Sequence, residues 1–238
     1  MLSALLVWQL ASYVVGSKLL LVSPFDVVVR LVGLVGEEGF FATLGFSFSR
    51  IALGFFSGLL CGTLLALLAG RFKLAEILLW PYMITVKSVP VASIVVIALV
   101  WMSAKNISAL ISFLMVLPIV YTNILEGIRS VDRKMLEMAD VFGMRFSKRL
   151  RLIWLPAIKP FAVSGCRVAL GLAWKSGVAA ELIGYPKGSI GESLYYSKLY
   201  LYTADLFAWT VVIIILSVTF EKLFVFLLKK AFERSEKA

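Results

Sequence analysis

Six long apolar stretches take up most of this chain and leave little else to fold. A bilayer core about 30 Å thick is crossed by roughly 20 apolar helical residues, and backbone groups inside it must be paired within the segment. Of the 238 residues, 61% are hydrophobic, whereas soluble domains are nearer half apolar. The pattern predicts an all-α membrane protein, one transmembrane domain over 1–238 with six transmembrane helices. The spans fall at about 2–22, 43–69, 77–102, 107–125, 158–183 and 206–228. The N-terminal apolar run has no basic residues ahead of it and reads as a retained first span, not a cleaved signal.

The net charge of +10 would suggest nucleic acid in a soluble protein. Here its placement gives a different reading. Arg71, Lys73, Arg129, Arg133, Lys134, Arg145, Lys148, Arg149, Arg151, Lys159, Lys229, Lys230, Arg234 and Lys237 collect at one set of span ends. Only Arg30, Lys105, Lys187 and Lys198 sit at the other. Basic residues favour the cytoplasmic side. With six spans, both termini and the basic loop 126–156 are therefore expected in the cytoplasm, facing membrane lipids and no nucleic acid. The chain has no histidine, so the commonest metal ligand and neutral-pH proton relay are missing. Cys61 and Cys166 both lie in apolar spans and read as small buried residues rather than a disulfide or metal site.

Two spans carry small residues every fourth position. The second holds Gly54, Gly58, Gly62, Ala66 and Gly70, and the fifth holds Gly165, Ala169, Ala173 and Gly177. In lipid, close backbone approach at such positions supplies helix packing. The pattern predicts tightly packed helices and leaves open whether the neighbour lies in the same chain or in a second subunit.

Ionisable residues at membrane depth point to function. Lys87 lies in the third span beside Ser88, three residues before Pro90. Proline removes a backbone donor and restricts the residue before it, so this span should be kinked or broken near a positive charge. Lys175 and Glu181 lie in the fifth span. Six residues apart, they diverge by about 120° around a helix and cannot pair along it. Lys87, Ser88, Lys175 and Glu181 are the candidates for a path taken by an anionic solute. Arg50 and Arg167 lie nearer span ends, where snorkelling to head groups accounts for them.

The segment between the fourth and fifth spans is polar and basic. Asp132 is placed as an N-cap for a helix over Arg133 to Phe142, and Gly143 as the residue that ends it. Ser147 is placed as the cap of a second short helix. The spacing Glu137, Ala139, Gly143, Ile153, Leu155, Pro156 resembles the EAA loop of binding-protein-dependent ABC importer permeases. Ser49 to Phe55, Lys87 to Pro90, Glu126 to Asp132, Gly165 to Arg167 and Ala179 to Glu181 are similar to that family too. The closest likeness is to its nitrate, sulfonate and taurine branch. Met138 stands where the name-giving motif has alanine.

The resemblance implies a type I importer permease in the bacterial inner membrane, working as a homodimer. A cytoplasmic ATPase dimer would dock on Glu137, Ala139, Gly143, Met144, Arg145, Phe146, Ser147, Lys148, Leu155 and Pro156. An extracytoplasmic binding protein would deliver the solute. This chain would bind no cofactor itself, with ATP and magnesium held by the ATPase. The sequence agrees in having no G-x-x-x-x-G-K-[ST] phosphate loop and no nucleophile–base set of an enzyme. A transporter driven by an ion gradient is the alternative, but it leaves the loop spacing unexplained.

Overall fold

The structure, a computed structural model, describes residues 2–17 and 19–237. Position 18, inside the expected first span, lies outside the description, as do the two terminal positions. All regular elements among the described residues are helical.

The core is three long helices, with α6 (Ile107–Arg129) packed between α3 (Phe40–Arg71) and α9 (Leu155–Gly184). The glycines explain this closeness. A Cβ placed on Gly58 would lie 2.8 Å from Val116 Cβ, and one on Gly62 would lie 2.8 Å from the Leu117 carbonyl oxygen. Gly54 lies against the Ala109 backbone of the same helix. On the other side of α6, a Cβ on Gly165 would lie 2.7 Å from Asn123 Cβ. One on Gly177 would meet Ile51 and Ser112 at 2.7 Å. Ala169 and Ala173 are fully buried. Both small-residue stripes thus face neighbours within the chain, and α6 is the shared partner. Packing at such short range replaces the hydrophobic drive that lipid does not provide.

The third expected span is two helices, α4 (Lys73–Ser88) and α5 (Val91–Trp101), bent by 102° at Val89-Pro90. Val89 is extended, as the residue before proline prefers. After α5, a three-ten turn at Ala104–Asn106 leads into α6. Among the described residues, four helical runs are long and apolar enough to cross a membrane: Phe40–Arg71, Ala104–Arg129, Phe146–Gly184 and Thr203–Ser235. The α4–α5 pair makes a fifth if the two halves count as one broken span.

The first expected span falls short of this test. Helix α1 covers Leu2–Val15, 14 residues, a rise of about 21 Å against a core of about 30 Å. Gly16 follows it at φ +64°, a conformation that glycine adopts without strain. The mixed segment after it forms α2 (Pro24–Val35), with Ser23 as N-cap accepting from Asp26 N–H at 3.1 Å. Arg30 anchors α2. Its guanidinium pairs through two nitrogens with Asp205, in the first turn of α11 (Thr203–Lys237), and bonds Glu37 at 2.6 Å. The Asp205 bond raises the Arg30 pKa most, against the opposing effect of partial burial.

Two further differences concern helices. The stretch between the fifth and sixth expected spans, outside every predicted helix, contains α10 (Ile190–Leu199). Ser189 caps it by accepting from Glu192 N–H at 3.0 Å, and Glu192 reaches back to Gly188 N–H at 2.6 Å, one residue before the cap, a variant of the capping box. The loop before the fifth span also ends early. Helix α7 (Arg133–Val141) is separate, but α8 (Phe146–Arg149) runs through a π-helical turn at Leu150–Trp154 directly into α9. The result is one helical run of 39 residues, Phe146–Gly184.

Candidate functional site

The polar segment folds as a tightly closed corner. Asp132 caps α7 by accepting from Lys134 N–H at 2.9 Å. At the other end Gly143 takes φ +59°. Gly143 N–H bonds the Asp140 carbonyl at 3.0 Å and Met144 N–H bonds the Ala139 carbonyl at 2.9 Å, the paired closure of a Schellman motif. Ala139 is fully buried beneath the corner. The second short helix starts differently from the reading of Ser147 as its cap. Arg145 holds the extended capping position without a side-chain cap bond, and Ser147 lies one residue inside the helix.

The residue that holds the corner together is Arg149, which the spacing did not single out. Its Nε–H donates to the Met144 carbonyl at 2.8 Å and one terminal nitrogen to the Ala139 carbonyl at 3.4 Å. The other terminal nitrogen pairs with Asp140 at 2.5 Å. One guanidinium thus ties the end of α7 to the start of α8, using its planar fork of donors. Glu137 is exposed and makes no hydrogen bond or ion pair among the described residues. The outer surface of the corner is apolar and basic together. Val141, Phe142 and Phe146 are exposed at 83%, 76% and 75%, beside exposed Arg145 and Lys148. A surface of large exposed apolar side chains rimmed by charge is the kind that a protein partner covers.

Leu155 and Pro156 lie in the helical run beyond this corner. Pro156 has no N–H to give the ladder. Just before it, Leu155 N–H reaches back five residues to the Leu150 carbonyl. The wider π-type turn carries the helix past the proline without a break.

The four membrane-depth candidates separate into two groups. Lys87 and Ser88 are exposed at the end of α4, where Lys87 Nζ donates to Thr122 Oγ1 at 3.4 Å and Ser88 to the Ile84 carbonyl at 2.9 Å. Lys175 is exposed on α9 with no ionic partner among the described residues. One turn before it, a Cβ on Gly171 would meet nothing within 4 Å, so this face of α9 is open. Glu181 points elsewhere. It is 0% exposed, and its Oε2 accepts from Ser47 Oγ–H at 2.6 Å and from Gly191 N–H at 3.4 Å. Ser47 Oγ in turn accepts from Ile190 N–H at 2.9 Å. Glu181 therefore joins α9 to α3 and to the N-terminus of α10, and the structure does not bring it to Lys175. Among the described residues no group of histidine, cysteine or acidic side chains is arranged to hold a metal.

An all-helical chain with several membrane-length helices, an open cationic helix face and a stiff exposed corner has the build of a membrane transport subunit. Comparison with known proteins places it more closely. The family described as "Binding-protein-dependent transport system inner membrane component" matches residues 58–237, and the chain belongs to that family. It is a multi-pass permease of the inner membrane. The aliphatic sulfonates transport permease SsuC of Bacillus subtilis (strain 168), a name given there as putative, is 31% identical over 209 residues, 87% of this chain and 75% of the relative. The taurine transport system permease protein TauC of Escherichia coli (strain K12) is 28% identical over 187 residues, 76% of this chain and 68% of the relative. The formylaminopyrimidine transport permease protein ThiX of Halalkalibacterium halodurans is 25% identical over 192 residues, 79% of this chain and 75% of the relative.

Proposed function

We propose that this chain is the translocation subunit of an ATP-driven importer for a small anionic solute of sulfonate type. Two copies would form the path, with six crossings each and both termini in the cytoplasm. A cytoplasmic ATPase dimer, carrying ATP and magnesium, would dock on residues 133–149, and an extracytoplasmic binding protein would deliver the solute. The observation that carries this reading is the closed α7–α8 corner continuous with α9. The exposed Val141, Phe142 and Phe146 offer the apolar contact, and Arg145 and Lys148 the charge. The unbroken run from Phe146 to Gly184 connects that contact to the helix that bears Lys175.

An ATPase that binds one arrangement of the corner more tightly biases the whole permease by that difference in affinity. The small-residue packing of α9 on α6 makes the bias travel, because a close-packed interface shifts as a unit instead of yielding locally. The solute class rests on the two cationic side chains, Lys87 and Lys175, and on the names of two relatives.

The experiment is Gly143→Pro in the chain co-expressed with its partner ATPase. Proline cannot adopt a φ of +59°, so the corner should open while the membrane helices insert normally. ATPase co-purification and ATP-driven uptake should both be lost. Normal uptake by this variant would overturn the docking role.

A further inference from the structure

We propose that the groove between α9 and α11 is a binding site for an anionic phospholipid, whose phosphate sits between Arg167 and Lys229. The groove has a volume of about 460 Å³. Three cationic side chains, Lys159, Arg167 and Lys229, line it together with one acid, Glu233. Pro160, Val163 and Ser164 complete its lining.

The register of α9 sets up this arrangement. Lys159, Val163 and Arg167 follow at four-residue intervals and share a face. Arg167 lies about 12 Å further along the axis than Lys159. Its long side chain can run back along apolar surface and present the guanidinium towards the water boundary. Lys229 and Glu233 occupy one face of α11 by the same spacing. Neither Arg167 nor Lys229 makes an ion pair or hydrogen bond among the described residues, so their donors are available to a ligand.

Position decides the class of anion. Lys229 directly follows the apolar run that ends at Leu228, and Lys159 stands three residues beyond Pro156. That is the level at which head groups meet acyl chains. Basic pockets between membrane helices at this level suit phospholipid head groups. The apolar lining at Pro160 and Val163 suits the glycerol and upper acyl carbons. Glu233 can accept hydrogen bonds from a hydroxylated head group and disfavours a second phosphate charge. Phosphatidylglycerol has this chemistry, with one negative charge and two free hydroxyls. The proposal does not depend on what the permease transports.

The test is native mass spectrometry of the full chain in detergent with added phosphatidylglycerol or phosphatidylcholine of matched acyl chains. The wild type should retain phosphatidylglycerol preferentially. Arg167→Gln with Lys229→Gln should weaken that retention roughly 30-fold, about fivefold for each basic residue near an anionic surface. Arg71→Gln with Lys73→Gln removes the same charge elsewhere and should leave retention unchanged. Ser164→Trp fills the groove without changing charge and should also displace the lipid. It serves if the double variant fails to fold. Three results would each overturn the proposal: equal retention of the two lipids, retention unaffected by the groove variants, or displacement of the lipid by millimolar methanesulfonate. The last would mark the groove as part of a solute path.

Discussion

Replacing Glu181 tests whether this carboxyl group is a structural joint or a member of the transport path. Glu181 is fully buried, and one of its oxygens accepts from Ser47 and from the N-terminus of α10. Its other oxygen makes no hydrogen bond of ordinary geometry among the described residues, although the buried Ser108 hydroxyl stands close to the carboxyl. Glutamine keeps an acceptor where the two donors point and places its amide group where no donor was bound. Glu181→Gln should therefore cost less than about 1 kcal/mol. Leucine removes the acceptor and strands the Ser47 hydroxyl and the Gly191 N–H in a dry site. Each stranded donor costs about 1–3 kcal/mol, and the longer Gly191 bond belongs at the low end, so Glu181→Leu should lose about 2–4 kcal/mol. For a chain of this length that lowers the melting temperature by roughly 4–16 °C, read by thermal unfolding in detergent. A cycle with Ser47→Ala should show coupling of at least about 0.5 kcal/mol, because the two side chains share one bond. Solute uptake by Glu181→Gln should match the wild type. If glutamine proved as damaging as leucine, the negative charge itself would be required and the joint argument would fail.

Other substitutions examine different parts of the molecule. Gly58→Ile forces a branched side chain where even a Cβ would lie 2.8 Å from Val116. It should cost more than about 3 kcal/mol by overpacking, seen as loss of folded protein on size-exclusion chromatography, whereas Gly171→Ala, facing open space, should be neutral. Arg149→Gln removes the ties to Met144, Ala139 and Asp140. It should lower ATPase co-purification at least fivefold with insertion intact, while Glu137→Gln should change it by less than twofold. Lys175→Met should reduce anion uptake at least tenfold and leave ATPase retention alone; uptake at the wild-type rate would remove the main support for an anion path. Cys166, at 3% exposure, should resist maleimide labelling in the folded protein and react only on unfolding.

Elements whose signal is local were legible in the sequence. The long apolar helices, the break beside Pro90 and the left-handed Gly143 each follow from composition or backbone chemistry within a few residues. Two short helices were missed although their signals were present. Ser189 with Glu192 is a variant of the capping box, and Ser23-Pro24 with Asp26 is a helix start of the same kind. Both lie in mixed polar stretches that a search for membrane spans passes over. Continuity from α8 into α9 was hidden because Pro156 reads as a helix start, and only the i→i+5 turn before it lets the helix pass through. The remaining misses needed tertiary knowledge. Ser47 and Glu181 are 134 residues apart, and nothing in either neighbourhood announces the other. Arg149 looked like one more basic residue in a basic loop until its three acceptors were in place.

The break at Val89-Pro90 also limits what can surround the permease at that depth. The last carbonyls of a helix have no partners within it, and α4 ends at Ser88 with the chain turning through 102°. Hydrocarbon offers such groups nothing, so irregular backbone at membrane depth survives only against protein or water. Lys87 and Ser88 are exposed at this point, where Lys87 reaches only the Thr122 hydroxyl of α6 among the described residues. Lipid is the one neighbour that the break excludes. Water reaching Ser88 would give the interior a wetted funnel, and a probe of local hydration on Ser88→Cys would report it. A dry signal there would mean that a second copy of the chain seals the bend.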